Sequence, residues 1–207
     1  ATRLSPADLG LQLLENSTAT AGGLVALILA FGSVSGAHFN PIVSLADRIF
    51  GGLSTRELCA YVPAQIAGAC AGAVVANLMF DLDAVTVSTH ARDTSGLLLG
   101  EVVASFGLLM VILGVVRSGR ASTAPFAVAG YIAAAYWFTS STSFANPAVT
   151  IGRTLSDTFA GIEPASAPGF IAAQIVGGLC AVALARFLFP DVPALDLIVP
   201  HERTEAA

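Results

Sequence analysis

Ser35-Gly36-Ala37-His38-Phe39-Asn40-Pro41-Ile42-Val43 and Ser141-Thr142-Ser143-Phe144-Ala145-Asn146-Pro147-Ala148-Val149 stand 106 positions apart and decide the fold. One Asn-Pro pair reads as an ordinary turn or helix start. Two in matched surroundings read as an internal duplication, the feature to seek before any other. Farther along, Ala64-Gln65-Ile66 answers Ala173-Gln174-Ile175 and Phe80 answers Phe189, both at an offset of 109, so three residues are inserted between the motifs. The chain divides into a first repeat over 1–80, a second over 97–189 and a tail over 190–207, all within one domain of 1–207.

Each Asn-Pro opens a moderately apolar segment, Asn40–Phe50 and Asn146–Phe159, too short to cross a bilayer. Ten helical residues cover roughly 15 Å, half of the ~30 Å hydrocarbon thickness. The segments are therefore expected to be half-helices ending near mid-membrane. Asn40 and Asn146 serve as N-caps, and Pro41 and Pro147 fill first helical positions, where a missing N–H costs nothing. Irregular backbone at that depth is tolerable only inside protein or along a watery cavity, so the preceding loops should line a pore.

Composition places these segments in a membrane. The 207 residues are 55% hydrophobic and 11% charged, with a mean hydropathy of +0.79, against about a quarter charged in soluble domains. Five runs have the length and apolarity of a span: Thr18–Ala37, Cys59–Phe80, Leu97–Val116, Ala124–Phe138 with a polar continuation, and Gly169–Phe189. Small residues crowd them (Ala67-Gly68-Ala69, Ala71-Gly72-Ala73, Gly177-Gly178), which lets helix backbones approach closely in lipid. The fold class is an all-α membrane protein, a tight helical bundle with two re-entrant half-helices.

Several function classes drop out. Nine basic residues, all Arg, against fourteen acidic give a net charge of −5 and no cationic stripe, so nucleic acid is not an expected partner. Cys59, Cys70 and Cys180 lie inside apolar runs and read as small core hydrophobes, with no disulfide and no metal site. No nucleophile stands beside a base and no phosphate-binding glycine motif occurs, so neither an enzyme nor a cofactor is expected. The opening Ala1–Ser17 lacks the apolar core of a signal peptide.

At the two Asn-Pro boxes the chain resembles the aquaporin family, the major intrinsic proteins, whose signature is a pair of Asn-Pro-Ala boxes on half-helices meeting at the pore centre. Asn146-Pro147-Ala148 matches fully, and Asn40-Pro41-Ile42 departs only at its third residue. The likeness extends from Thr18 to Pro190 and implies an inverted-repeat bundle, assembled as a homotetramer, that passes water or small neutral solutes across the lipid bilayer. Facing helix N-termini would put about half a positive charge each at the centre. The Asn40 and Asn146 amides would offer donors to a passing hydroxyl while cations are repelled.

The resemblance also assigns bracing roles. Glu101, the carboxylate inside the run Leu97–Val116, is expected to accept backbone N–H bonds from the loop before Asn146, although a place at a span edge would also fit. His38 is expected to brace the first loop rather than bind metal, since no second ligand stands at metal-site spacing.

The selectivity filter departs from most of the family. Water- and glycerol-selective members carry an Arg three positions after the second Asn, and here that position is Val149. Ungapped counting places the other filter positions at Thr20, Ala134 and Ser143, and Arg153 is expected to lie too far out to substitute. A wide, weakly polar, uncharged mouth follows, suited to neutral solutes bulkier than water. The run around Asn146 with Ser156-Asp157-Thr158-Phe159-Ala160-Gly161-Ile162 looks like a bacterial aquaglyceroporin subgroup associated with arsenic-resistance genes. That implies glycerol, water and arsenous acid as solutes and the bacterial inner membrane as location.

Repeat arithmetic implies a sixth span. Glu101 precedes Asn146 by 45 residues, so its partner in the first repeat would fall before residue 1. With Ala1–Ser17 too polar to cross, five full spans are expected, the N-terminal one missing, and His38 would lack a carboxylate that this helix would bring. The family's topology, implied by the resemblance, would put Arg48, Arg56, Arg117, Arg120, Arg186 and Arg203 on the cytoplasmic side with the tail and Arg3, Arg92 and Arg153 on the other, six against three in the sense of the positive-inside rule. Three functions remain open: a passive channel, a secondary transporter, which also uses inverted repeats and broken helices, and a non-conducting fragment.

Overall fold

The computed structural model describes residues 1–190; Arg203 and the tail from Asp191 onward lie outside the described residues. Seven α-helices follow in order: α1 Leu9–Ser35, α2 Pro41–Phe50, α3 Thr55–Met79, α4 Ser95–Arg117, α5 Ala124–Phe138, α6 Pro147–Gly152 and α7 Ala167–Leu188. Among the described residues there is no strand.

Local chemistry sets the ends. Asp8 caps α1 by accepting from Leu11 N at 2.9 Å, and Gly36 closes it in the left-handed region at φ 66°. Ser54 and Glu57 form a reciprocal capping box at the start of α3, and Thr94 caps α4. α1 begins nine residues before the expected Thr18. Its first turns are polar but tied together: Ser5 Oγ donates to Glu15 at 2.6 Å, and Gln12 Nε2 donates to the Ser5 carbonyl at 2.7 Å.

Four helices, α1, α3, α4 and α7, are long and apolar enough to cross a membrane. α5 has the expected bounds but only 15 residues, about 22 Å at the α-helical rise. The 3-10 turn Ala121–Thr123 ahead of it supplies about 6 Å more. The second half-helix is shorter than expected. α6 ends at Gly152, tightens into a 3-10 turn over Arg153–Leu155, and is extended by Ser156, well before Phe159.

The bundle is built on two seams, α4 against α7 and α1 against α5, with α6 resting on α3 and α2 lying between α3 and α7. The core gathers Ile42, Val43, Ala46 and Phe50 of α2 with Leu108, Leu109, Ile112 and Leu113 of α4 and Ala181 and Val182 of α7. Small residues make the seams close. A Cβ on Gly177 would stand 2.3 Å from the Val102 carbonyl oxygen, and one on Gly152 would stand 2.8 Å from that of Ala69. The cysteines are not core residues as expected: Cys59 and Cys180 are exposed on the outside of the bundle and Cys70 is half-buried, all as free thiols.

Because the atoms facing Gly177 are backbone, they cannot swing away. Gly177→Ala is expected to destabilise the bundle by about 1–3 kcal/mol through overpacking. Gly114→Ala, with nothing within 4 Å of the new Cβ, should be neutral or slightly stabilising in a helix. Thermal melting in detergent compares them, and equal melting of the two variants would exclude the close α4–α7 seam.

The arginines gather at two ends. Arg117 and Arg186 flank the Phe50 ring at 5.3 and 5.4 Å, and Arg48 Nε donates to Thr55 Oγ1 at 3.0 Å. At the opposite end Arg3 faces Asp81 at 4.0 Å, and Arg92 and Arg153 stand over the Phe144 ring at 5.0 and 4.2 Å.

Candidate functional site: a cavity between two half-helices

The two Asn-Pro turns meet. The Asn40 side chain accepts from Ile42 N at 3.0 Å, and Asn146 Oδ1 accepts from Ala148 N at 3.0 Å and Val149 N at 3.3 Å. With both oxygens used as caps, each amide nitrogen crosses to the other loop: Asn40 Nδ2 donates to the Ala145 carbonyl at 2.7 Å and Asn146 Nδ2 to the Phe39 carbonyl at 2.8 Å. An amide carries two N–H groups, so each Asn keeps a second one beyond the bond that crosses to the other loop. Both side chains line a cavity of about 490 Å³.

Each loop is braced by buried polar groups. Glu101, with no exposed surface, accepts from Phe144 N and Ala145 N at 2.8 Å each and from Gln174 Nε2 at 2.5 Å. Gln174 also donates to Thr150 Oγ1 of α6 at 2.9 Å. Its repeat counterpart Gln65 donates to the His38 carbonyl and, at 2.9 Å, to Ser44 Oγ of α2. Thus one glutamine in each repeat ties its loop or brace to a hydroxyl of its half-helix. His38 nevertheless faces a carboxylate, one supplied from within the repeat rather than by a preceding helix. Asp47, from α2 itself, places Oδ2 4.0 Å from His38 Nε2, and both side chains are buried; Ser44 Oγ stands 3.4 Å from Nδ1.

These braces hold unfavourable backbone. Thr142, Ser143 and Ala145 have φ of 62°, 51° and 47°, and Ala37 in the first loop has 50°. Left-handed residues other than glycine cost of order 1–3 kcal/mol each and persist only where surroundings over-determine them. Arg92 adds to that determination: Nε donates to the Gly161 carbonyl at 2.8 Å and Nη1 to the Ser141 carbonyl at 3.4 Å, while its backbone N–H reaches Ser166 Oγ. Burial, followed by the neighbouring Arg153, pushes the Arg92 pKa down to about 10. The segment 81–94 is further strapped over 154–163 by Ser88 N to the Thr154 carbonyl and Glu163 N to the His90 carbonyl. Thr89, donating from backbone and side chain, holds the Asp157 carboxyl below the usual carboxylate range.

The four expected filter residues are not all together. Thr20, Ser143 and Val149 line the cavity, but Ala134 is exposed on the outer face of α5 and does not; Ile132 and Tyr136 of the same helix do. The mouth is not uncharged either. Arg153 lines the cavity, with its guanidinium carbon 4.2 Å from the Phe144 ring centroid and Nη2 donating to the Tyr136 hydroxyl at 3.0 Å. Residue counting missed Tyr136, Asp47, Arg92 and the bracing role of the two glutamines. The matched Gln65 and Gln174 were the sequence signal for the last.

Away from this mouth the lining continues past Asn40, Val43 and Leu108 to Ser33, Ala121 and Ser122, about 20 Å along α1 from Thr20 at 1.5 Å per residue. Among the described residues, Arg153 is the only charged side chain lining the cavity.

Comparison with known proteins agrees with this architecture. Residues 3–142 match the family described as Major intrinsic protein. The chain is 49% identical over 192 residues to the protein named Aquaglyceroporin AqpS of Rhizobium meliloti (strain 1021), covering 93% of this chain and 81% of that protein. It is 30% identical over 179 residues to Probable aquaporin AqpM of Archaeoglobus fulgidus, covering 80% of this chain and 72% of the relative. With Aquaporin NIP2-1 of Oryza sativa subsp. japonica it shares 32% identity over 170 residues, covering 78% of this chain and 57% of the rice protein. With its paired half-helices and membrane-length apolar helices, the chain belongs to the major intrinsic protein family, the aquaporins and aquaglyceroporins: a multi-pass membrane channel protein and not an enzyme.

Proposed function

We propose that the chain conducts small neutral hydroxylated solutes passively, with glycerol, arsenous acid and water as the solute class, in a homotetramer in the bacterial inner membrane. The observation that carries the reading is the cavity itself. It runs past the two Asn amides, each with one N–H uncommitted within the chain, while Leu24, Ile28, Val43, Leu108 and Ile112 supply an apolar wall. Such a lining compensates a solute's hydroxyls on one side and tolerates its carbon or metalloid face on the other. The aquaglyceroporin name of the Rhizobium relative points to the same class. A coupled transporter needs titratable groups along the path, and Glu101 is instead engaged by two backbone donors and Gln174.

The test is stopped-flow light scattering on proteoliposomes challenged in turn with an impermeant osmolyte, glycerol and arsenous acid. Re-swelling after the initial shrinkage in glycerol and in arsenous acid is the expected result, with low activation energy. Shrinkage without protein-dependent re-swelling in either solute would overturn the solute class.

A further inference from the structure

We infer that Arg153, reaching back past Val149 and anchored by Tyr136, selects solutes at the outer mouth by size and charge, its Nη1 and Ser143 Oγ together forming a docking station for a solute hydroxyl. The inference rests on the pore reading and deepens it. Arg153 follows α6 in the 3-10 turn, one turn beyond Val149. Helical side chains lean toward the N-terminus, and a turn is about 5.4 Å, within an arginine's reach, so its head group arrives beside the cavity wall that Val149 leaves open.

Three contacts fix that head group. The guanidinium carbon stands over the Phe144 ring, 4.2 Å from its centroid, Nη2 donates to the Tyr136 hydroxyl at 3.0 Å, and that hydroxyl stands 3.2 Å from Thr20 Oγ1. A consistent direction of donation results: Arg153 to Tyr136, Tyr136 to Thr20, and Thr20 toward Asn16 Oδ1 at 3.5 Å. Four residues from α1, α5, the re-entrant loop and the turn after α6 thus form a ring around the mouth, and all but Asn16 of the chain line the cavity.

One atom of this ring and one of the residue next to Phe144 are left over. Arg153 Nη1 and Ser143 Oγ are buried and make no hydrogen bond, although both residues line the cavity. Buried polar atoms are ordinarily satisfied, and a solute at the mouth is the partner that a small turn of these two side chains would meet. A guanidinium N–H only donates, whereas a hydroxyl both donates and accepts. Together they suit an oxygen that accepts from Arg153 while exchanging a bond with Ser143, the chemistry of a neutral polyol or other hydroxyl-bearing molecule. A cation meets the guanidinium charge instead and is turned away.

Wild type, Arg153→Leu, Arg153→Lys and Tyr136→Phe are compared in proteoliposomes for glycerol flux, water flux and sodium leak. Arg153→Leu should raise the glycerol-to-water flux ratio about fivefold, the worth of one opened polar constriction, and admit sodium. Arg153→Lys should keep sodium out yet lose size discrimination, because a flexible ammonium does not stack or fork as a guanidinium does. Tyr136→Phe removes only the anchoring hydroxyl and should move the ratio about twofold in the same direction. Conducting wild type with both the ratio and the sodium exclusion unchanged in Arg153→Leu and Tyr136→Phe would overturn the assignment while leaving the pore intact. Should Arg153→Leu fail to reach the membrane, unchanged ratios in Arg153→Lys and Tyr136→Phe overturn it equally. A wild type without flux of either solute removes the pore reading and this one with it.

Discussion

Glu101→Ala should abolish conduction and lower the thermal stability of the protein in detergent more than any other single substitution in the bundle. The carboxylate is fully buried and accepts two backbone N–H bonds, from Phe144 and Ala145, besides the Gln174 amide. Each buried donor left without a partner costs about 1–3 kcal/mol, so the two backbone groups alone bring a loss on the order of 2–6 kcal/mol. The strain at Thr142, Ser143 and Ala145 is then opposed mainly by Arg92 at the Ser141 carbonyl, and Ala145 carries the carbonyl to which Asn40 donates. Glu101→Gln should fall between the two, since one oxygen remains but the new NH2 faces a backbone N–H. Melting and flux of Glu101→Ala equal to wild type would show that the loop holds its own shape.

Much of this architecture was legible because it follows from polar groups that must be satisfied in lipid. Asn40-Pro41 and Asn146-Pro147 specify both the caps and the turn into a half-helix, and the bounds of α2 and α5 follow from the sequence. What failed did so for physical reasons. The segment after Asn146 reads as moderately apolar to Phe159, yet Gly152 sits against the Ala69 carbonyl and the strap from 81–94 takes over the backbone bonds of Thr154 and Leu155. The early start of α1 depends on Ser5, Gln12 and Glu15 being tied together, which hydropathy cannot register.

Counting along the chain chose Ala134, on an exposed face of α5 away from the cavity. Each residue turns a helix by about 100°, so Ala134 and Tyr136 differ by about 200° and point to nearly opposite sides. A shift of two positions replaces a small exposed residue by a buried tyrosine that organises the mouth. Arg153 is the complementary case. Its backbone is a turn too far, but the length of its side chain and the Phe144 ring return its charge to the cavity. Sequence position fixed where its Cα lies, and the reach of the side chain decided which site it joined.

Asn146→Asp is expected to convert a cation-excluding pore into one that leaks cations. The substitution separates two jobs of the same side chain. A carboxylate still accepts from Ala148 N and Val149 N, so the cap on α6 survives and gains from the negative charge at a helix N-terminus. It cannot donate, so the bond to the Phe39 carbonyl at 2.8 Å becomes an oxygen facing an oxygen, and the N–H offered to the solute is lost as well. The local field also changes sign, because a full negative charge outweighs the roughly half charge of one helix end. Sodium conductance should therefore rise at least tenfold over wild type, as a change of about 1.4 kcal/mol in the barrier suffices, while the melting temperature in detergent drops only modestly. Asn40→Asp should behave alike, since Asn40 donates to Ala145 across the same gap. Sodium exclusion preserved in both variants, at normal membrane levels and with solute flux retained, would place the cation barrier elsewhere along the cavity, with Arg153 as its remaining charged residue among those described.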